Sequence, residues 1–285
     1  MNRLKDITVI FKNMIESDDK NSISNQIGDI LYFDLLYRSF NEGLRLDGKN
    51  DKRPASLIDY IHKIFYENQT MRIRRLLDKG DDAYSLRRIL NLIIANEHLY
   101  TRESYVCLDG IQYEIEKNKG IKEYECKFRH EKYDLLFRMN NGKRQKDDRL
   151  MVEYLEKIKE YLDKPNILIG FADQYVAHSL NKKKRKKTDQ NLDKISLMQL
   201  QKNYKLLSWL SYTLSYYCNS LILFRVPVVT YDQFENWVGT LFVKDISKNL
   251  NKYWNKRADM FKSWEDKYWM MNDLYISPFT KVKRN

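Results

Sequence analysis

PASLIDYIHKIFYENQTMRIRRLLDKG, residues 54–80, decides the fold class. Leu57, Ile58, Ile61, Ile64 and Phe65 recur at spacings of three and four, and Met71, Ile73 and Leu76 continue the stripe. That period lines one face of an α-helix with apolar side chains and leaves the charges on the other. Pro54 and Ser56 suit its opening, and Lys79-Gly80 reads as its C-terminal stop behind a basic last turn.

The same pattern extends in both directions. Upstream, Ile27, Ile30, Leu31, Phe33, Leu35, Leu36 and Phe40 form a broad stripe that should end near Gly43. Downstream, Asp82 is the expected N-cap of a helix whose Leu86, Ile89, Leu90 and Ile93 share a face. Residues 101–120, with Asp109-Gly110 and Gly120, read as a connection. A mixed-charge helix over about 121–139 then reaches the turn Asn140-Asn141-Gly142. Another helix covers roughly 148–162, and Pro165 fits the first turn of the one carrying Phe171, Tyr175 and His178. The longest helix starts at Thr188 or Asn191 and runs through Leu221. Val226-Pro227-Val228-Val229 breaks it, and Asp232 caps a last helix from about 233 to 264.

Composition agrees with this reading. Only 9 Gly and 4 Pro among 285 residues leave too few turn formers for an all-β chain. The expectation is an all-α protein: N-terminal helices over 1–50, a helical bundle over 51–225 and a helical extension over 226–285. Leu206 to Phe224 has no charged residue, but its many Ser, Tyr, Thr and Asn side chains suit a buried bundle helix better than a membrane span. The N-terminus mixes charges into its apolar residues, so no secretory signal is expected. Cys107, Cys126 and Cys218 fit neither a zinc site nor a disulfide framework; they read as buried thiols in a reducing, cytoplasmic setting.

A net charge of +12 favours acidic partners, nucleic acid foremost, although a solvated lysine-rich surface explains it equally well. Phosphate-binding, zincin and serine-hydrolase motifs do not occur in the sequence. No two of the four histidines lie at metal-ligand spacing, so neither a metal nor another cofactor is expected. His62 reads as a structural residue near an apolar stripe, His130 as a surface residue among charges, and His98 as a helix-end residue. His178 stands apart. It follows Phe171-Ala172-Asp173-Gln174-Tyr175 and precedes the run Lys182, Lys183, Lys184, Arg185, Lys186 and Lys187. An imidazole beside a cationic loop can move protons on a phosphodiester while lysines hold the phosphates. A helix-terminal histidine packed on Tyr175, next to an unrelated solvated loop, is the plainer alternative.

FADQYVAHS, at residues 171–179, resembles the end of the signature helix of HEPN domains. MRIRRLLDKGDDAYSLRRILNLI and YTRESYVCLDGIQYE are similar to segments of HEPN-like abortive-infection proteins of phage defence. The resemblance implies an all-α HEPN-like bundle, usually a homodimer, with RNA as substrate or ligand and an antitoxin or other defence protein as partner. Catalytic members are metal-independent ribonucleases. His178 matches the family histidine and Asp173 its polar position, but Ala172 stands where the family has arginine. A residue of the 182–187 run, or Arg74, Arg75, Arg87 or Arg88, could replace that arginine in space. Otherwise the chain is a catalytically degenerate module that binds RNA or protein, or it uses the Asp173/His178 pair in a different way. On a straight α-helix the five residues from Asp173 to His178 turn by about 140°, so the two would not converge within one chain. Intramolecular salt bridges explain the arginines equally well. DNA binding ranks last, since no helix-turn-helix pattern stands out.

Overall fold

The computed structural model describes residues 3–16, 20–48, 54–137, 144–150, 152–177, 195–218, 242 and 246–270. Among these the regular structure is helical, and the one β-type pairing is an isolated bridge between Thr101 and Arg149. We number the helices α1 (Arg3–Glu16), α2 (Ile23–Asp47), α3 (Ala55–Leu76), α4 (Leu86–Ala95), α5 (Arg102–Val106), α6 (Ile121–Phe137), α7 (Glu153–Asp163), α8 (Ile167–Phe171), α9 (Leu197–Cys218) and α10 (Ser247–Met270). A π turn, Ala172–Ala177, continues α8 directly.

The ends of these helices show how local chemistry placed them. Ser22, Ser85, Thr101 and Asn166 each accept a backbone N–H of the helix they precede, satisfying one donor that the first turn leaves over. The cap of α4 is therefore Ser85 rather than Asp82, because only Ser85 reaches the Arg88 amide, at 3.0 Å. Helix α3 stops at Leu76, short of Lys79-Gly80; the Asp78 carboxylate accepts the Gly80 N–H at 2.9 Å and holds the chain in a turn. Helix α2 passes through Gly43 and ends at Gly48, whose φ of 74° only glycine adopts cheaply. Gly43 serves another purpose. A Cβ there would lie 2.3 Å from the Phe242 ring, so its bare backbone admits that ring against α2.

Helix α9 is the hub. It packs against α1, α3, α4, α6 and α10, while α2 lies against α1, α3 and α10. One continuous apolar cluster runs from Leu4 in α1 to Trp264 in α10. The segment Leu206–Cys218 lies inside this bundle, and among the described residues no helix is long and apolar enough to cross a membrane. Tyr37 of α2 stacks flat on Phe65 of α3, with centroids 3.7 Å apart. Buried Gln69 of α3 donates to the Ile30 carbonyl of α2 at 3.2 Å and accepts the Tyr204 hydroxyl of α9 at 3.1 Å. One turn after Ile30 on α2, buried Asp34 pairs with Arg38 at 2.8 Å and with Arg257 of α10 at 3.6 Å. Burial pushes the Asp34 carboxyl above its usual range against the pull of both arginines.

Residues 101–118 form a compact connection built around two buried arginines. Arg102 is fully buried; it binds Asp148 and Asp134, each at 2.6 Å, and lies over the Tyr133 ring. Arg129 donates to the carbonyls of Leu108 and Val106, at 2.6 and 3.3 Å, beside Asp109, whose φ of 60° makes the expected turn. Helix-interior Gly→Ala changes normally stabilise by about 0.5–1 kcal/mol. Gly43→Ala should have the opposite sign, with a loss of about 1–3 kcal/mol as the overpacked Phe242 ring is displaced. A lower urea midpoint than wild type is the expected readout, and a higher one would show that the ring moves aside freely.

Candidate functional site

The site grows from the C-terminal half of α3 and the short helix it packs against. Apolar Ile73 and Leu76 bury α3 in the core, which leaves Arg72, Arg74 and Arg75 around its outer surface. Helix α8 and the π turn lie against this stretch of α3. Leu168 and Ala172, four residues apart, are both fully buried, so they anchor the inward face of that element. The next residue, Asp173, is turned outward and is only partly buried. Its carboxylate accepts a hydrogen bond from the Arg74 guanidinium, which also reaches Asp78 at 3.7 Å.

This arrangement bears on the missing arginine. Position 172, where the resemblance expects a guanidinium, is sealed in the bundle, and alanine fits there without a charge to bury. The arginine beside Asp173 comes from another helix, α3, and is Arg74. Arg72 and Arg75 lie close by. With Val176 of the π turn, Ile64, Asn68 and Met71 they line a cavity of about 300 Å³. Arg72 is held by Asp29 at 2.6 Å and by Asn68 at 2.7 Å. Arg75 is exposed, and among the described residues it has no carboxylate within ion-pairing distance.

The backbone changes character here. From Ala172 to Ala177 the chain is a π-helix, with hydrogen bonds between residues five apart instead of four. The 140° separation worked out for a straight α-helix therefore does not apply to the turn that carries Asp173. The rings of Phe171 and Tyr175 stack, 5.0 Å apart, along its side. His178 and the run Lys182–Lys187 lie outside the described residues.

The other arginines have separate partners. Buried Arg87 donates to Asp163 at 2.6 Å, and Lys79 reaches the same oxygen at 2.7 Å, which holds the Asp163 carboxyl below its usual range. Arg88 donates to the Ala83 carbonyl at 3.3 Å. The salt-bridge explanation thus holds for Arg72, Arg74 and Arg87, and among the described residues it leaves Arg75 and Arg88 without an ion pair. Tyr204 and Tyr216 of α9 are buried, and Tyr212 is partly buried. Cys126 and Cys218 are buried, whereas Cys107 is half-exposed because it sits in the turn after α5. Among the described residues no group of three or more His, Cys, Asp or Glu could hold a metal ion. One feature had no signal in the sequence: the turn Lys164-Pro165-Asn166 and the start of α9 together wall a cavity of about 390 Å³.

Of the remaining histidines, His62 meets Asn41 at 3.3 Å beside the Tyr37 ring, as a structural residue should, and His98 is exposed. His130 corrects the sequence reading. It is 3 % exposed because α6 turns it inward, and its Nε2 donates to the Tyr113 carbonyl at 2.9 Å. Burial pushes its pKa below the ordinary histidine value, more than that hydrogen bond offsets. The folded chain thus takes a proton on His130 less readily than the unfolded chain, which takes one up near pH 6.5. Its stabilising contribution is present above that pH and is lost as pH falls through it. In urea titrations, wild type should lose more stability than His130→Gln between about pH 7.5 and 5.5. Equal slopes would show that the ring titrates freely. No family model, curated protein or solved structure matches the chain.

Proposed function

We propose that this chain is a HEPN-like, RNA-directed defence protein that cleaves RNA without a metal ion. The observation that carries the reading is the Arg74–Asp173 pair. It supplies a carboxylate five residues ahead of His178 in the chain and, from α3, a guanidinium of the kind the resemblance calls for at the scissile phosphate. The exposed Arg75 and the net charge of +12 add to it.

In this mechanism His178 takes the proton from the ribose 2′-hydroxyl as that oxygen attacks the neighbouring phosphorus. The 5′-oxygen departs and receives a proton. Arg74, held in place by Asp173, binds the non-bridging oxygens, whose negative charge grows in the transition state; a planar guanidinium does this better than an ammonium group. Lys182 to Lys187 hold the flanking phosphates. The site is completed by a second copy of the chain, and an antitoxin or another defence protein controls it.

A second reading has its own observation. Ala172 is packed where a charge would be buried, so the chain has dispensed with the family's own clamp. On this reading the protein binds RNA, or a protein partner, without cutting.

RNA cleavage in excess EDTA separates the two. The wild type should cut single-stranded RNA, and His178→Ala should lower the rate by about 10²–10⁴-fold. Arg74→Ala should lower it by about 10²–10³-fold. Its effect on stability should stay within about 1 kcal/mol, because the pair is half-exposed. Equal cleavage by wild type and His178→Ala would remove His178 from the mechanism. Tight, salt-sensitive binding without cleavage by any of the three would establish the binding reading.

A further inference from the structure

We infer that the cavity between the α7–α8 turn and the start of α9 is a nucleotide subsite, receiving one unit of a single-stranded RNA. This rests on the RNA reading above, but on different residues. The cavity holds about 390 Å³, within the range of small-ligand pockets. Its chemistry is divided in two. One wall is apolar, formed by Leu77 at the end of α3, Leu162, Ile167 and Leu206. The rim carries the ammonium groups of Lys164 and Lys202, and among the described residues no carboxylate lines the cavity. A nucleotide has the same two parts, a flat base with apolar faces and a phosphate.

The two lysines are available for that task. Both are exposed, and among the described residues neither has a carboxylate within ion-pairing distance. Nearby Asp163 is already occupied by Lys79 and Arg87, so it does not neutralise them. Lys164 lies over the Tyr161 ring, 5.7 Å from its centroid, which restrains the ammonium group at the rim. Asn166 and Asn203 hold the walls together. The Asn166 side-chain N–H donates to the Asn203 side-chain oxygen at 2.8 Å, the Asn203 side-chain N–H donates to the Gln199 carbonyl at 3.0 Å, and Asn166 also caps α8. The pocket is therefore preformed by the junction of α7, α8 and α9. Leu77 follows α3 directly, three residues after Arg74, so the pocket and the Arg74–Asp173 pair both adjoin the C-terminal end of that helix.

The test measures binding of fluorescein-labelled octauridylate by anisotropy over a range of salt concentrations. Wild type is compared with the double variant Lys164→Gln/Lys202→Gln and with a variant carrying glutamine at Lys182–Lys187. In parallel, UMP is titrated into each protein and followed by amide chemical shifts. The double variant should bind octauridylate at least tenfold more weakly, and its salt slope should fall by about 0.7 for each lysine removed. UMP should shift the resonances of the α7–α8 turn in wild type and not in the double variant. If wild type binds octauridylate and the double variant binds it equally well, the subsite is overturned and the RNA reading stands. If wild type fails to bind octauridylate but UMP still shifts the turn, the pocket holds a free nucleotide and the RNA reading fails. Silence toward both probes overturns both. An unchanged urea midpoint in the double variant, expected for two exposed side chains, assigns any lost affinity to lost contacts.

Discussion

The amide of Gln69 fixes how three helices of this bundle face one another. A buried carboxamide must satisfy its donors and acceptor or lose about 1–3 kcal/mol. Gln69 does so by donating to the Ile30 carbonyl of α2 and accepting the Tyr204 hydroxyl of α9. Apolar packing alone tolerates small slides and rotations, because it has no direction. These two hydrogen bonds do not. With the Tyr37–Phe65 stack one turn earlier, they set the rotation of α3 about its own axis. That rotation decides which side of its C-terminal half points outward.

The outward side is where the arginines lie. Helix α3 thus joins α2 along its length, from His62 to Arg72, while its C-terminal half also supports α8 and the π turn. The guanidinium beside Asp173 is positioned by the fold, from a helix other than the element that carries Asp173. The same logic applies to the proposed nucleotide subsite, whose lysines come from a turn and from the first part of α9.

Much of the fold was legible in the sequence because the apolar residues repeat at helical spacing from Ile27 to Trp264. The boundaries were less so. Gly43 looked like a stop, but a glycine within a helix can also make room for a ring, and only the tertiary position of Phe242 distinguishes the two. Asp82 and Ser85 are both good caps by type, and the choice depended on which one reached the Arg88 amide. His130 was misread because charged neighbours in sequence say nothing about the inner face of a helix on which only every third or fourth residue is buried. For the candidate site, the sequence supplied a short roster of arginines, including Arg74 and Arg75. It could not choose among them, since the choice depends on a contact between residues 99 positions apart. The pocket at Lys164 left no trace because its two lysines and its apolar wall lie on separate segments.

The π turn has a consequence for how this chain is compared with others. Each α-helical residue advances the side chain by about 100° around the axis. A turn closed by bonds five residues apart contains one residue more than an α-helical turn. Counting along the sequence through 172–177 therefore assigns side chains to the wrong side of the element, by about the angle of a single residue. A superposition guided by backbone position and an ungapped alignment of letters will disagree from this turn onward. Relatives should accordingly be brought into register with a one-residue gap at the π turn wherever they lack it.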